Sequence, residues 1–139
     1  MRRRDFMKII GGAAAGWPLA ARAQQAKMPV VGYLSASAFD DAAASYLRAF
    51  RQGLKEDSGY VEGENIAIEY RWGEDQPDRL PSLAADLVRR RVNVITVLSA
   101  PASLAVAKAT ATIPTVFMVP EDPVRLGLVT SPFWCVLVT

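Results

Sequence analysis

Apolar runs and amphipathic stretches alternate along the chain, with two different periods. Val30-Val31-Gly32-Tyr33-Leu34, Val92 to Leu98 and Thr115-Val116-Phe117-Met118-Val119 are short and almost unbroken, the pattern of strands buried on both faces of a parallel sheet. Ile66, Ile68 and Tyr70 instead alternate with Ala67, Glu69 and Arg71, so that strand has a more polar face and belongs nearer an edge. Between the strands the spacing lengthens to three and four. Ala43, Tyr46, Leu47, Phe50 and Leu54 predict a helix started by Asp40 or Asp41 and stopped at Ser58-Gly59. Leu80, Leu83, Ala84, Leu87 and Val88 predict a second, capped by Asp78 and ending in Arg89-Arg90-Arg91. A basic last turn complements the helix dipole, so the arginines need no ligand. Ser99 to Ser103 opens a third, Ala-rich helix that reaches Ala109. Strand–helix units of this length require parallel strands and right-handed crossovers. The fold class is α/β, a parallel sheet with flanking helices.

The first 23 residues follow another logic. Arg2-Arg3-Arg4 precede a short apolar run from Ile9 to Ala20, and Ala21-Arg22-Ala23 supplies a small-x-small cleavage pattern, the order of an export signal. Arg3-Arg4-Asp5-Phe6-Met7-Lys8 resembles the twin-arginine motif. The run is too short to span a bilayer, which takes roughly 20 apolar residues. Residues 1–23 are therefore expected to direct export to the periplasm, residues 24–130 to form the α/β lobe, and residues 131–139 to be an atypical apolar tail.

This division changes the meaning of the charge. The chain carries a formal net charge of +2, but residues 1–23 hold five basic groups and one acid. The remaining residues hold eleven basic and thirteen acidic groups, so no phosphate-backbone surface is expected and nucleic acid is excluded as a partner. With no His and one Cys, Cys135, a Ser-His-Asp triad, a Cys-His dyad and an ordinary Cys/His zinc site are also excluded. No G-x-G-x-x-G follows the first strand, and neither a phosphate-binding loop nor a G-x-S-x-G elbow occurs. No catalytic residue, metal site or cofactor is expected.

In an open α/β sheet, ligands bind beyond the carboxyl ends of the strands. Three loops lie there: Ser35-Ala36-Ser37-Ala38-Phe39, Ser99 to Ser103, and Pro120-Glu121-Asp122-Pro123. Small hydroxyl residues before a helix let its free N–H groups approach a carboxylate, and an acidic pair can receive an ammonium group. Ser35, Ser37, Ser99, Ser103 and Asp122, with Glu121 beside it, are the candidate contacts for an amino acid. The serines also suit plain N-caps, and Asp122-Pro123 also suits the start of a short helix. Trp72 could stack on an aromatic ligand, although packing against its own loop is the commoner arrangement.

Several stretches together carry a family resemblance. They are Arg2 to Gln25, Phe50-Arg51-Gln52-Gly53-Leu54, Gly59-Tyr60-Val61-Glu62-Gly63, Ile68-Glu69-Tyr70-Arg71-Trp72, Asp78-Arg79-Leu80-Pro81 and Leu83 to Val88. From Arg2 to Leu128 the chain resembles the tryptophan/tyrosine-type substrate-binding proteins of ABC transporters. The resemblance implies the N-terminal lobe of a type I periplasmic-binding-protein fold, whose two lobes close over a small-molecule solute. It also implies delivery to an ABC permease at the membrane, without catalysis. The family's solute loops match Ser35 to Ser37, Ser99 to Ser103 and Glu121-Asp122, with a more Gly/Thr-rich turn usual at Leu98 to Pro101. After Val129 the match stops, and Ser131 to Thr139 reads as a frameshifted or prematurely ended frame. A single lobe offers half a cleft, which predicts weak binding. Two other readings stay open: a complete flavodoxin-like sensor or enzyme, which bound flavin would betray, and a non-functional remnant, which uncooperative unfolding would betray.

Overall fold

The computed structural model describes residues 27–129; the expected export signal and the expected apolar tail lie outside the described residues. Four parallel strands form one sheet: β1 (Val30–Ser35), β2 (Ala67–Trp72), β3 (Val94–Leu98) and β4 (Thr115–Met118), in the order β2-β1-β3-β4. Three helices connect them: α1 (Asp41–Ser58), α2 (Leu80–Arg89) and α3 (Ala100–Ala109). The half-polar β2 lies at an edge, as its alternation predicts, and its outer half keeps charged Glu69 and Arg71.

Helix α1 begins and ends where its sequence says. The Asp40 carboxylate accepts from Ala43 N–H at 2.7 Å, and Gly59 closes the helix at φ 70°, in the left-handed region that glycine enters freely. The N–H groups of Gly59 and Tyr60 then donate to the Lys55 and Leu54 carbonyls. Helix α2 differs from expectation. Asp78 is not its cap, because a 3-10 turn at Pro77–Arg79 leads directly into Leu80 and leaves no extended residue to cap from. The third strand also starts later than its apolar run. Asn93 donates its N–H to the Val30 carbonyl and accepts from Val30 N–H through its side chain, a clasp that holds Val92 and Asn93 before the strand.

The two faces of the sheet receive opposite side-chain sets, as strand alternation requires. Leu34, Ile95 and Val97 meet Leu80, Ala84 and Leu87 of α2 and Ala102 and Val106 of α3 in one aliphatic core. The other face carries Tyr33, Tyr70 and Trp72, with Phe50 of α1 at 5.5 Å from the Tyr33 ring. Two of the three arginines, Arg89 and Arg90, are tied down by acids rather than left to the helix dipole alone. Asp86 accepts from Arg71, Arg89 and Arg90, and the hydrogen bonds from Arg71 hold its carboxyl at about 2.

Candidate functional site

The chain reverses direction across the sheet between β1 and β3: β2 lies to one side of β1, β4 to the other side of β3. At that switch, successive loops diverge beyond the carboxyl ends and leave a crevice. A cavity of about 330 Å³ opens there, lined by the ends of β1, β2 and β3 and by the start of α1.

Its floor is polar. The Ser35 and Ser37 hydroxyls lie 2.9 Å apart, and Ser35 Oγ also accepts from Ser37 N–H at 3.3 Å. Ser99 stands across from them at the entry to α3, where its side chain makes no capping bond. Its Oγ is buried with no hydrogen-bond partner among the described residues, a state that costs about 1–3 kcal/mol unless a ligand or water satisfies it. The backbone of Ser99 is held at φ 106°, far outside ordinary non-glycine conformations. Such strain concentrates at ligand sites. Donation of Ser99 N–H to the Met118 carbonyl, and acceptance by the Ser99 carbonyl from both Ser103 N–H and Ser103 Oγ, fix it there.

The second wall is a strap running from Gly73 to Asp75. Gly73 N–H donates to Ser35 O at 2.8 Å, Asp75 N–H to Ala36 O at 3.0 Å, and Glu74 N–H to Ser37 O at 3.3 Å. Gly73 permits this approach, since a Cβ there would lie 2.6 Å from Ala36 O. Glu74 and Asp75 then turn through left-handed φ values of 54° and 57°. The strap locks the loop after β2 onto the loop carrying the serines.

The third wall is aromatic. Trp72 packs edge-on against Phe39 at 5.1 Å and lies 5.6 Å from Tyr33. Its partners thus include the β1 strand and loop, and it lines the cleft. Burial pushes the Tyr33 hydroxyl above its usual value, and burial pushes Tyr70 up to about 12, against the opposing hydrogen bond from Arg51. Both phenols stay neutral at physiological pH. A smaller groove of about 230 Å³ continues past Tyr33, Tyr46 and Leu98 towards Met118.

Of the five expected contacts, Ser35, Ser37 and Ser99 converge on this cavity. Ser103 does not reach it, because one helical turn after Ser99 its hydroxyl is spent on the Ser99 carbonyl, and it borders a different concavity near Phe117. Asp122 and Glu121 line a separate hollow with Arg125. There Asp122 Oδ1 accepts from Val124 N–H at 2.9 Å and caps a turn, and among the described residues no helix follows it. Trp72, which the sequence raised as a stacking surface because it closes a strand, is a wall of the cleft, whereas nothing local in the sequence pointed to Asp75 as a lining acid.

Residues 27–133 match the family described as "ABC transporter substrate binding protein". A tyrosine-binding protein of Clostridioides difficile is 34% identical over 76 residues, which is 55% of this chain and 22% of that protein. Among solved structures, a conserved domain protein of Vibrio cholerae aligns with TM-score 0.63 and 30% identity, covering 76% of this chain and 35% of the other. The ligand-free, open structure of a substrate binding protein with adhesive properties from Clostridium difficile aligns at TM-score 0.65 and 25% identity, covering 74% and 34%. An ABC domain from Streptococcus pneumoniae in complex with L-Trp shares the fold at TM-score 0.66 and 18% identity, covering 76% and 35%. The chain thus spans about a fifth of the curated relative and about a third of each of these solved chains.

Proposed function

Because the chain belongs to the family of ABC transporter substrate binding proteins, we propose that its described lobe forms one wall of a cleft for an amino acid, with aromatic side chains favoured. The observation that carries this reading is the convergence of Ser35, Ser37 and the unpartnered Ser99 hydroxyl at the sheet's switch point. Three hydroxyls beside the N-terminal end of α3 suit a carboxylate, since hydroxyls donate to it and the positive end of the helix dipole favours negative charge. The aromatic wall of Trp72, Phe39 and Tyr33 suits a flat side chain, which stacks or meets rings edge-on. The tyrosine-binding and L-Trp-bound relatives support the same class of solute.

In the two-lobed arrangement that the family resemblance implies, hinge closure encloses the solute and presents it to a membrane permease. The chain itself carries out no chemistry in this reading. Arg3-Arg4 and the following apolar run support export by the twin-arginine route, and the lobe then works outside the cytoplasm. Replacing both arginines by lysine is expected to retain the protein in the cytoplasm.

Titration with L-tryptophan, L-tyrosine and L-lysine tests the binding reading, with NMR detection so that weak affinities are visible. The two aromatic amino acids are expected to shift resonances saturably, L-lysine much less, and Ser99→Ala to weaken both aromatic ligands about tenfold. No saturable response to either aromatic amino acid would overturn the reading.

A further inference from the structure

We infer that Asp75, on the strap after β2, is the group that receives the amino acid's ammonium, in place of the Glu121-Asp122 pair. The inference rests on the solute-binding reading above and specifies which charge the cleft presents and where.

An amino acid that puts its carboxylate against the serines needs a negative group within the same cavity for its ammonium. Two carboxylates line that cavity, Asp40 and Asp75. Asp40 is committed to the N-terminus of α1, where it accepts from Ala43 N–H at 2.7 Å. Asp75 is engaged only through its backbone, whose N–H donates to Ala36 O; among the described residues its side chain has neither a hydrogen bond nor an ion pair. Its neighbour Glu74 is drawn off by Arg79, 2.6 Å away, so the strap turns one acid outward to a cation and leaves the other on the cleft.

The local backbone makes that difference. Two successive non-glycine residues in the left-handed region are unusual and strained. They are held there by three hydrogen bonds to Ser35, Ala36 and Ser37, and by a glycine whose missing Cβ lets the two loops touch. The loop that carries Asp75 is therefore fixed to the loop that carries two of the three hydroxyls. Trp72 lines the same cavity as Asp75, and its ring attracts cations. Asp122, by contrast, already caps its own turn and shares its hollow with Arg125, a cation that would repel an ammonium.

The test compares L-tryptophan with indole-3-propionate, which lacks only the amino group, on the full chain and on Asp75→Asn and Asp122→Asn. Loss of the carboxylate charge at position 75 is expected to weaken L-tryptophan about tenfold and leave indole-3-propionate unchanged. Asp122→Asn is expected to alter neither ligand. The assignment is overturned if Asp75→Asn leaves L-tryptophan unchanged, or weakens both ligands equally, as a structural role would. It is also overturned if the wild-type chain binds indole-3-propionate as tightly as L-tryptophan, an outcome that leaves the solute-binding reading standing. If neither ligand binds the wild-type chain, the solute-binding reading fails and the assignment falls with it.

Discussion

The two faces of the sheet are built from different materials. The face under α2 and α3 is aliphatic and closed, with Leu34, Ala84, Leu87, Ile95 and Val97 wholly buried. The face under α1 is aromatic and partly open: Phe39 and Tyr46 near the cleft, and Val116 and Met118 on β4, remain largely exposed. Aliphatic side chains interdigitate to crystal-like density and leave no room for a solute. Rings packed at tilted angles leave gaps, and on the open face those gaps continue into the cavity at the carboxyl edge. The comparison separates tasks: one face holds the described residues together, and the other is free to carry strain, an unsatisfied hydroxyl and space.

The separation is sharpest at Leu87, which lies at the centre of the closed core. Leu87→Ala is expected to cost about 3 kcal/mol in chemical denaturation, the sum of lost burial and residual cavity. A loss of that size from Tyr46→Ala, on the open face, would break the comparison. Gly73→Ala is next. A methyl group 2.6 Å from Ala36 O must push the strap away from the serine loop, with an expected cost of about 2 kcal/mol and larger spectral changes at Ser35 to Ser37 than in the aliphatic core.

Much of this organisation was legible in the sequence, and the limits have physical causes. β1 and β3 showed because interior strands are covered on both faces and their apolar runs are nearly continuous, whereas β4 carries such a run at an edge, with Val116 and Met118 about half exposed. That Ser35, Ser37 and Ser99 border one cavity was legible because they lie at or just after the carboxyl ends of β1 and β3, a known edge of the sheet. Ser103 lies off this cavity because a hydroxyl four residues along a helix has the preceding carbonyl within reach. Asp122 lies in a separate hollow because the path of the chain after β4 depends on a turn that its own carboxylate caps. Asp75 stayed hidden because its position depends on a contact between two loops nearly 40 residues apart in sequence, which no periodicity records.

Smaller effects sharpen the contrast further. Ser99→Gly relieves a φ of 106° and removes a buried, unpartnered hydroxyl, so it is expected to raise stability by about 1 kcal/mol while weakening solute binding. Stability and binding moving together would contradict a functional origin of the strain. The smallest effect is electrostatic and lies away from the cleft. Asp86, held at about 2 by Arg71 first and Arg89 next, takes up its proton at lower pH in the folded chain than in the unfolded one. Its contribution is full above the ordinary carboxylate value and is lost as pH falls through the folded value. Urea denaturation at decreasing pH is expected to show this loss, and Asp86→Asn to flatten it.

The central claim is that solute binds at the switch point, on the open side of the sheet. Chemical-shift mapping of the isotope-labelled chain during titration with L-tryptophan tests it most directly. Saturable shifts at Ser35 to Ser37, at Trp72 to Asp75 including the Trp72 indole N–H, and at Ser99, with Leu87 and Ile95 unmoved, are the result expected. Saturable shifts confined to Glu121 through Arg125, or spread evenly over the aliphatic core, would contradict it.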